Sequence, residues 1–168
     1  MEAVSRADTE IFLWINHWVG SLSFLDRVVE VVVSDYLVPV VFSVFLLGLW
    51  FGWRGLDMRE RHQRGVMLAG IGVGVASAAV KIVNIFYFRP RPFDAHDVEL
   101  LFYAPTDSSF PANPVAVAFA MATGVWVANR KLGVAMYIAA SLYGLSRVYA
   151  GVFYPLDIVG GALIGIAA

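Results

Sequence analysis

Gly65-Val66-Met67-Leu68-Ala69-Gly70-Ile71-Gly72-Val73-Gly74-Val75-Ala76-Ser77-Ala78-Ala79-Val80 runs for sixteen residues without a charged side chain. Uncharged runs recur at Tyr36 to Trp53, Ser108 to Asn129, Leu132 to Ser146 and Ile158 to Ala168. A helix needs about 20 apolar residues to cross the hydrocarbon of a bilayer. The run from Gly65 is therefore expected to continue past Lys81 to about Phe88, and the last to begin near Phe153. Composition agrees. Of 168 residues, 60% are hydrophobic, 15% are charged and five are Trp, with a mean hydropathy of +0.72. A soluble domain of this size would leave large apolar patches in water. The chain is read as all-α: a polytopic membrane helix bundle of about five transmembrane helices, forming one domain over residues 1–168. A helix from Phe153 to Ala168 reaches only about 24 Å, so the final span is expected to be cut short.

The charge balance narrows the partners. Twelve Lys and Arg against thirteen Asp and Glu, with a pI near 6.3, argue against nucleic acid. Without cysteine there is no disulfide framework and no thiolate metal site. Met1 to Glu10 carries Glu2, Arg6, Asp8 and Glu10 and lacks the form of a signal peptide. Beyond it, Ile11, Phe12, Trp14, Ile15, Trp18 and Val19 recur at helical spacing in a segment too short to cross. An N-terminal interfacial amphipathic helix is expected there.

Basic residues in short loops set orientation. The segment Arg54 to Arg64, with Arg54, Arg59, Arg61 and Arg64, and the turn Arg130-Lys131 are assigned to the cytoplasm. The acidic stretch Arg89 to Asp107 and the connection Arg147 to Pro155 then face outward. On that outer side converge Lys81, Arg89, Arg91, Arg147 and Asp157. Charges at membrane depth are expensive and mark functional candidates. Four cations against one carboxylate repel one another unless an anion is bound, and Arg forks match phosphate oxygens. An outward-facing phosphate site follows; the plainer alternative is a set of snorkelling interfacial anchors.

Three blocks carry a resemblance: Lys81 with Arg91-Pro92-Phe93, then Ser109-Phe110-Pro111-Ala112-Asn113-Pro114, then Ser146-Arg147 through Tyr154-Pro155-Leu156-Asp157. In this order they resemble the signature blocks of the type 2 phosphatidic acid phosphatase (PAP2) superfamily. Within it, the chain is most similar to the bacterial bacitracin-resistance-type undecaprenyl-diphosphate phosphatases. The resemblance implies a helical membrane fold in the bacterial plasma membrane and a lipid (di)phosphate substrate, with neither metal nor cofactor. It also implies phosphate-binding roles for Lys81, Arg91, Ser146 and Arg147. The usual spacing of the first-block Lys falls on Asn84; Lys81 lies on the same helix face three residues earlier and is the candidate, since this branch tolerates a longer spacing.

The departures from the pattern decide the expected activity. The second block normally offers a Ser that holds a phosphate oxygen and a His that protonates the leaving group; here stand Ala112 and Pro114. The third normally offers a nucleophilic His oriented by an Asp; Asp157 remains, but Phe153 stands in place of the nucleophile. Phe cannot attack phosphorus, Pro cannot donate a proton, and Ala cannot hydrogen-bond. His17, His62 and His96 do not obviously replace them. Vanadium haloperoxidase chemistry, which shares the ancestral site, fails for the same reason. Asn113-Pro114 reads as an N-cap followed by Pro at the first helical position. Asp157, without its imidazole, is expected to pair with Arg147 or Arg91.

Three readings follow. The chain is a catalytically silent member that keeps a lipid-phosphate-binding site, for a polyprenyl phosphate or phospholipid headgroup. Alternatively, it is a genuine undecaprenyl-diphosphate phosphatase altered at its site by engineering or drift. In the third, the fold serves as a structural or accessory subunit of a larger membrane complex, with protein partners or as an oligomer. A repeated transporter would need more spans.

Overall fold

The computed structural model describes residues 2–52, 55–101 and 103–168, with the side chains of residues 2–4 excepted. Met1, Trp53 and Arg54, and the side chain of Glu2, expected to contribute to the first segment, the first apolar run and the basic segment, lie outside the described residues. The described chain is helical: α1 (Glu2–Asn16), α2 (Ser23–Val32), α3 (Leu37–Phe51), α4 (Leu56–Phe86), α5 (Pro92–Ala95), α6 (Asn113–Ala128), α7 (Arg130–Tyr149) and α8 (Pro155–Ala167).

The centre of the bundle is α6, which packs against α4, α7 and α8. Its sequence explains this. Val115, Ala116, Ala118, Ala120, Ala122 and Gly124 are small or β-branched and buried around most of the helix circumference. Small residues let helix backbones approach closely. Against α6, α4 presents a stripe of Gly65, Ala69, Gly72, Ala76 and Val80 at three- and four-residue spacing. At Gly124 the approach is closest: a Cβ there would lie 2.6 Å from the Cα of Ala69. The other faces of α4 carry Ile71, Ile82, Ile85 and Phe86, all exposed. With the outward residues of α3, α7 and α8 they form an apolar belt suited to lipid.

Among the described helices, α4 alone is long and apolar enough to cross a membrane by itself; α2 and α3 qualify together as a pair bent by 57°. Helices α6 and α8 are apolar but only 16 and 13 residues long. Three boundaries differ from the sequence reading. The basic segment before Gly65 is not a loop: α4 begins at Leu56, because Asp57 suits a first helical turn and Met58-Arg59-Glu60-Arg61 are sound helix formers. His62, expected in that loop, is instead a fully buried α4 residue whose Nδ1 lies 2.7 Å from the Met58 carbonyl. The N-terminal region holds two helices, and α2 escaped a count of uncharged runs because Asp26, Arg27 and Glu30 interrupt it. Finally, α6 starts one residue early, with Ala112 at the capping position and Asn113 exposed and not capping.

Candidate functional site

Two short sequences start helices in the same way. In Arg91-Pro92-Phe93-Asp94 and Tyr154-Pro155-Leu156-Asp157 the first residue is extended, as a residue before Pro prefers, and Pro opens the helix without losing a needed N–H. The Asp three residues on folds back: Asp94 Oδ2 accepts from the Arg91 amide at 3.3 Å and Asp157 Oδ2 from the Tyr154 amide at 2.9 Å. These two starts, with the end of α7, put Arg89, Arg91, Arg147, Phe153 and Asp157 at one end of the bundle.

Asp157 is fully buried. Besides the Tyr154 amide, it accepts hydrogen bonds from the Ser109 hydroxyl and from Arg89 Nη1 at 2.6 Å. Arg89 Nη2 donates to Asp8 of α1 at 2.7 Å, and the other oxygen of Asp8 accepts from the Leu156 amide at 2.9 Å. Arg89 therefore ties α1 to the start of α8, with its guanidinium 4.1 Å above the Tyr154 ring. Burial acts to lower the Arg89 pKa, but hydrogen bonds and charge from Asp8 and Asp157 outweigh it and raise the pKa. The expected partner of Asp157 is thereby corrected: the carboxylate turns to Arg89, not to Arg147 or Arg91.

Phe153 is buried against the other two arginines. The Arg91 guanidinium lies 4.4 Å from the ring centroid and that of Arg147 lies 5.8 Å away. Arg91 donates to the Asp107 carboxylate at 2.7 Å and to the carbonyls of Asp107 and Val152 at 3.0 and 3.1 Å. Arg147 donates to Asp35, to the Val33 carbonyl at 3.0 Å and to the Tyr143 hydroxyl at 2.7 Å. Tyr103, in the segment before α6, donates to the other oxygen of Asp35 at 2.6 Å. That hydrogen bond, with burial and the Asp35 charge, pushes the Tyr103 phenol up to about 12.

Three arginines thus face four carboxylates, Asp8, Asp35, Asp107 and Asp157. The expected excess of positive charge is neutralised from within. The sequence reading missed Asp8, Asp35 and Asp107 because each comes from a different segment. Asp8 alone left a signal, since Asp8, Phe12 and Asn16 form one helical stripe, and all three are buried.

Two expected phosphate ligands stand apart. Lys81 is exposed and makes no hydrogen bond or ion pair among the described residues: it follows Val80, the last buried position of the α4 stripe, and so points away from the bundle. Asn84, the alternative, keeps its amide oxygen buried without a hydrogen-bond partner. The Ser146 hydroxyl donates to the Tyr143 carbonyl at 2.7 Å, and the residue lines an apolar groove of about 490 Å³ with Val28, Val32 and Leu142. Ala112 is buried against α8, its amide bonded to the Asp157 carbonyl at 3.1 Å, and Pro114 is half-buried. His96 rests edge-on against Tyr154 at 6.3 Å and does not take Phe153's place beneath the arginines.

The comparisons match this architecture. Residues 65–168 match the model of the PAP2 superfamily. The undecaprenyl-diphosphatase BcrC of Bacillus subtilis is 33% identical over 159 residues, covering 94% of this chain and 78% of that protein. The crystal structure of Aquifex aeolicus LpxE superposes with a TM-score of 0.69 at 32% identity, over 94% of this chain and 89% of that one. A transmembrane PAP2 type phosphatidylglycerolphosphate phosphatase of Bacillus subtilis shares the fold, with a TM-score of 0.70 at 22% identity over 99% and 82% of the two chains. With the family model running from within α4 through α8 and both Pro-initiated helix starts inside it, the chain belongs to the PAP2 superfamily as a relative of the undecaprenyl-diphosphatases.

Proposed function

We propose that this membrane protein binds the phosphate of a lipid, a polyprenyl phosphate or a phospholipid headgroup, at the Arg91 and Arg147 end of the bundle and does not hydrolyse it. One observation carries the reading. Phe153 lies beneath two guanidiniums, at 4.4 and 5.8 Å, where the family's chemistry calls for a nucleophilic imidazole. A phenyl ring has no lone pair to form a bond to phosphorus, so the covalent step has no beginning. Pro114 offers no proton to a leaving group, and Ala112 has no hydroxyl for a phosphate oxygen. The names of the relatives supply the ligand class, lipid phosphates such as undecaprenyl diphosphate.

Binding works by exchange of anions. Asp107 is 69% exposed and Asp35 28%, while the arginines they hold are 3% and 1% exposed. Each rim carboxylate gives a buried guanidinium the charge-assisted partner that a phosphate oxygen supplies equally well. A lipid phosphate enters by displacing Asp107 from Arg91 and Asp35 from Arg147. In this reading Lys81 and Ser146, on the evidence of their positions, contribute little. The site is taken to face outward from a bacterial plasma membrane crossed about five times, a reading supported by the basic residues at the opposite end.

A second reading is favoured by the internal charge balance. Three arginines already satisfied by four carboxylates need no ligand, which suits a structural or accessory role with protein partners. Phosphate release from undecaprenyl diphosphate separates the cases. The protein is expected to release none, and the folded combination Ala112→Ser, Pro114→His, Phe153→His to release phosphate. Release by the unaltered protein overturns the proposal; a folded but silent revertant favours the accessory role.

A further inference from the structure

The opposite end of the bundle carries a second, unassigned feature. Met58 and Arg61 of α4, Val127 and Ala128 of α6, and Asn129, Arg130 and Lys131 at the start of α7 enclose a crevice of about 540 Å³. Its lining holds three cations and no carboxylate. The adjoining crevice shares Arg61 and adds Arg64, Asp57 and Glu60, of which Arg64 and Glu60 pair at 3.7 Å. Arg61, Arg130 and Lys131 make no ion pair among the described residues.

The turn that carries Arg130 and Lys131 is fixed, and the three cations are exposed on it and on α4. Asn129 Oδ1 accepts from the amides of Lys131 and Leu132 at 3.1 and 3.2 Å, which fixes the turn between α6 and α7. The Arg130 guanidinium stacks over Trp126 at 4.8 Å. Like charges converging on one crevice favour an anion within it. Depth identifies the kind of anion. The apolar run of α4 starts at Gly65, four residues or about 6 Å beyond Arg61, and below it Leu68, Ile71 and Val75 are exposed. The crevice therefore sits at headgroup height above an apolar helix face. From Arg130 to Arg147 along α7 is about 26 Å, so the feature is separate from the arginines around Phe153.

We propose that this crevice binds the phosphate of an anionic membrane lipid, with the acyl chains lying along α4. Basic pockets between helices on the cytoplasmic side are suited to such headgroups, and each nearby Lys or Arg adds to the attraction. The proposal depends on membrane insertion but not on ligand binding at the Arg91 and Arg147 end.

The test is lipid retention by the full chain in nanodiscs of phosphatidylcholine doped with phosphatidylglycerol, read by native mass spectrometry. The unaltered protein is expected to retain phosphatidylglycerol selectively. The pair Arg61→Gln, Lys131→Gln is expected to lose about thirtyfold in that preference, and Arg59→Gln, which does not line the crevice, to lose little. Soluble glycerol phosphate is expected to compete only weakly. No preference for phosphatidylglycerol, or equal losses from the crevice pair and Arg59→Gln, overturns the site. Full competition by glycerol phosphate overturns its assignment to a lipid. An unchanged thermal midpoint of the variants in pure phosphatidylcholine shows that a loss is not unfolding.

Discussion

Replacing Arg89 with Gln removes the group on which two buried carboxylates depend. The side chains of Asp157 and Asp8 are 0% and 1% exposed, and Arg89 holds them at 2.6 and 2.7 Å. Breaking a buried ion pair by deleting one partner costs roughly 3–5 kcal/mol, because the other charge is left in a poor solvent. Here the loss falls toward the lower end, about 3 kcal/mol, since Asp157 keeps the Ser109 hydroxyl and Tyr154 amide and Asp8 keeps the Leu156 amide. For a domain of this size each kcal/mol moves the thermal midpoint by about 2–4 °C, so Arg89→Gln is expected to lower it by about 6–12 °C. Adding Asp8→Asn removes one stranded charge while keeping an oxygen for the Leu156 amide, and should restore part of the loss. Asp8→Asn alone should destabilise. This change of sign between backgrounds is the diagnostic feature, read by thermal unfolding of the four proteins in one detergent. A fall under about 2 °C for Arg89→Gln, less than 1 kcal/mol, or the same effect of Asp8→Asn in both backgrounds, would refute the reasoning.

Other consequences are simpler to measure. Asp107→Asn should raise the affinity for a lipid phosphate several-fold in vesicle titrations by removing the anion that competes for Arg91, at a stability cost of about 1–3 kcal/mol, because the buried Arg91 loses its charged partner but keeps the Asp107 and Val152 carbonyls. Tyr103, with its phenol at about 12, favours the folded state while protonated: its contribution is complete below pH 10 and lost as pH rises from 10 through 12. The difference in tyrosinate absorbance between the protein and Tyr103→Phe should accordingly titrate near 12. Gly124→Ala should destabilise by about 1–3 kcal/mol in thermal unfolding, because the new methyl meets the backbone of Ala69 and α4 and α6 must separate.

What the sequence could disclose depended on how local each signal was. The uncharged runs marked five of the helices, α3, α4, α6, α7 and α8, and the Pro-initiated start of α6 was legible to within one residue because capping is decided within four residues. Helix α2 was hidden by its own amphipathicity: Asp26 and Arg27 broke the apolar run while Val29 faced inward. The site was legible on its cationic side only. Arg91, Arg147 and Asp157 lie in recognisable blocks, whereas Asp8 and Asp35 reach their arginines across 81 and 112 residues and Asp107 falls in a loop with no periodicity. Electroneutrality is a property of the folded cluster, so counting only the motif residues overstated the need for an external anion. Lys81 stands apart from the arginines for a geometric reason: one residue past Val80 turns a side chain by about 100° around a helix with 3.6 residues per turn.

The central claim is that binding survives where hydrolysis does not. Its most direct test is one titration of the protein in nanodiscs with undecaprenyl diphosphate, in which bound lipid and free phosphate are measured on the same sample. The account predicts saturable binding that weakens with salt and is largely lost in Arg91→Gln but not in Lys81→Ala, with no phosphate released. Phosphate release, or binding indifferent to Arg91→Gln, would contradict it.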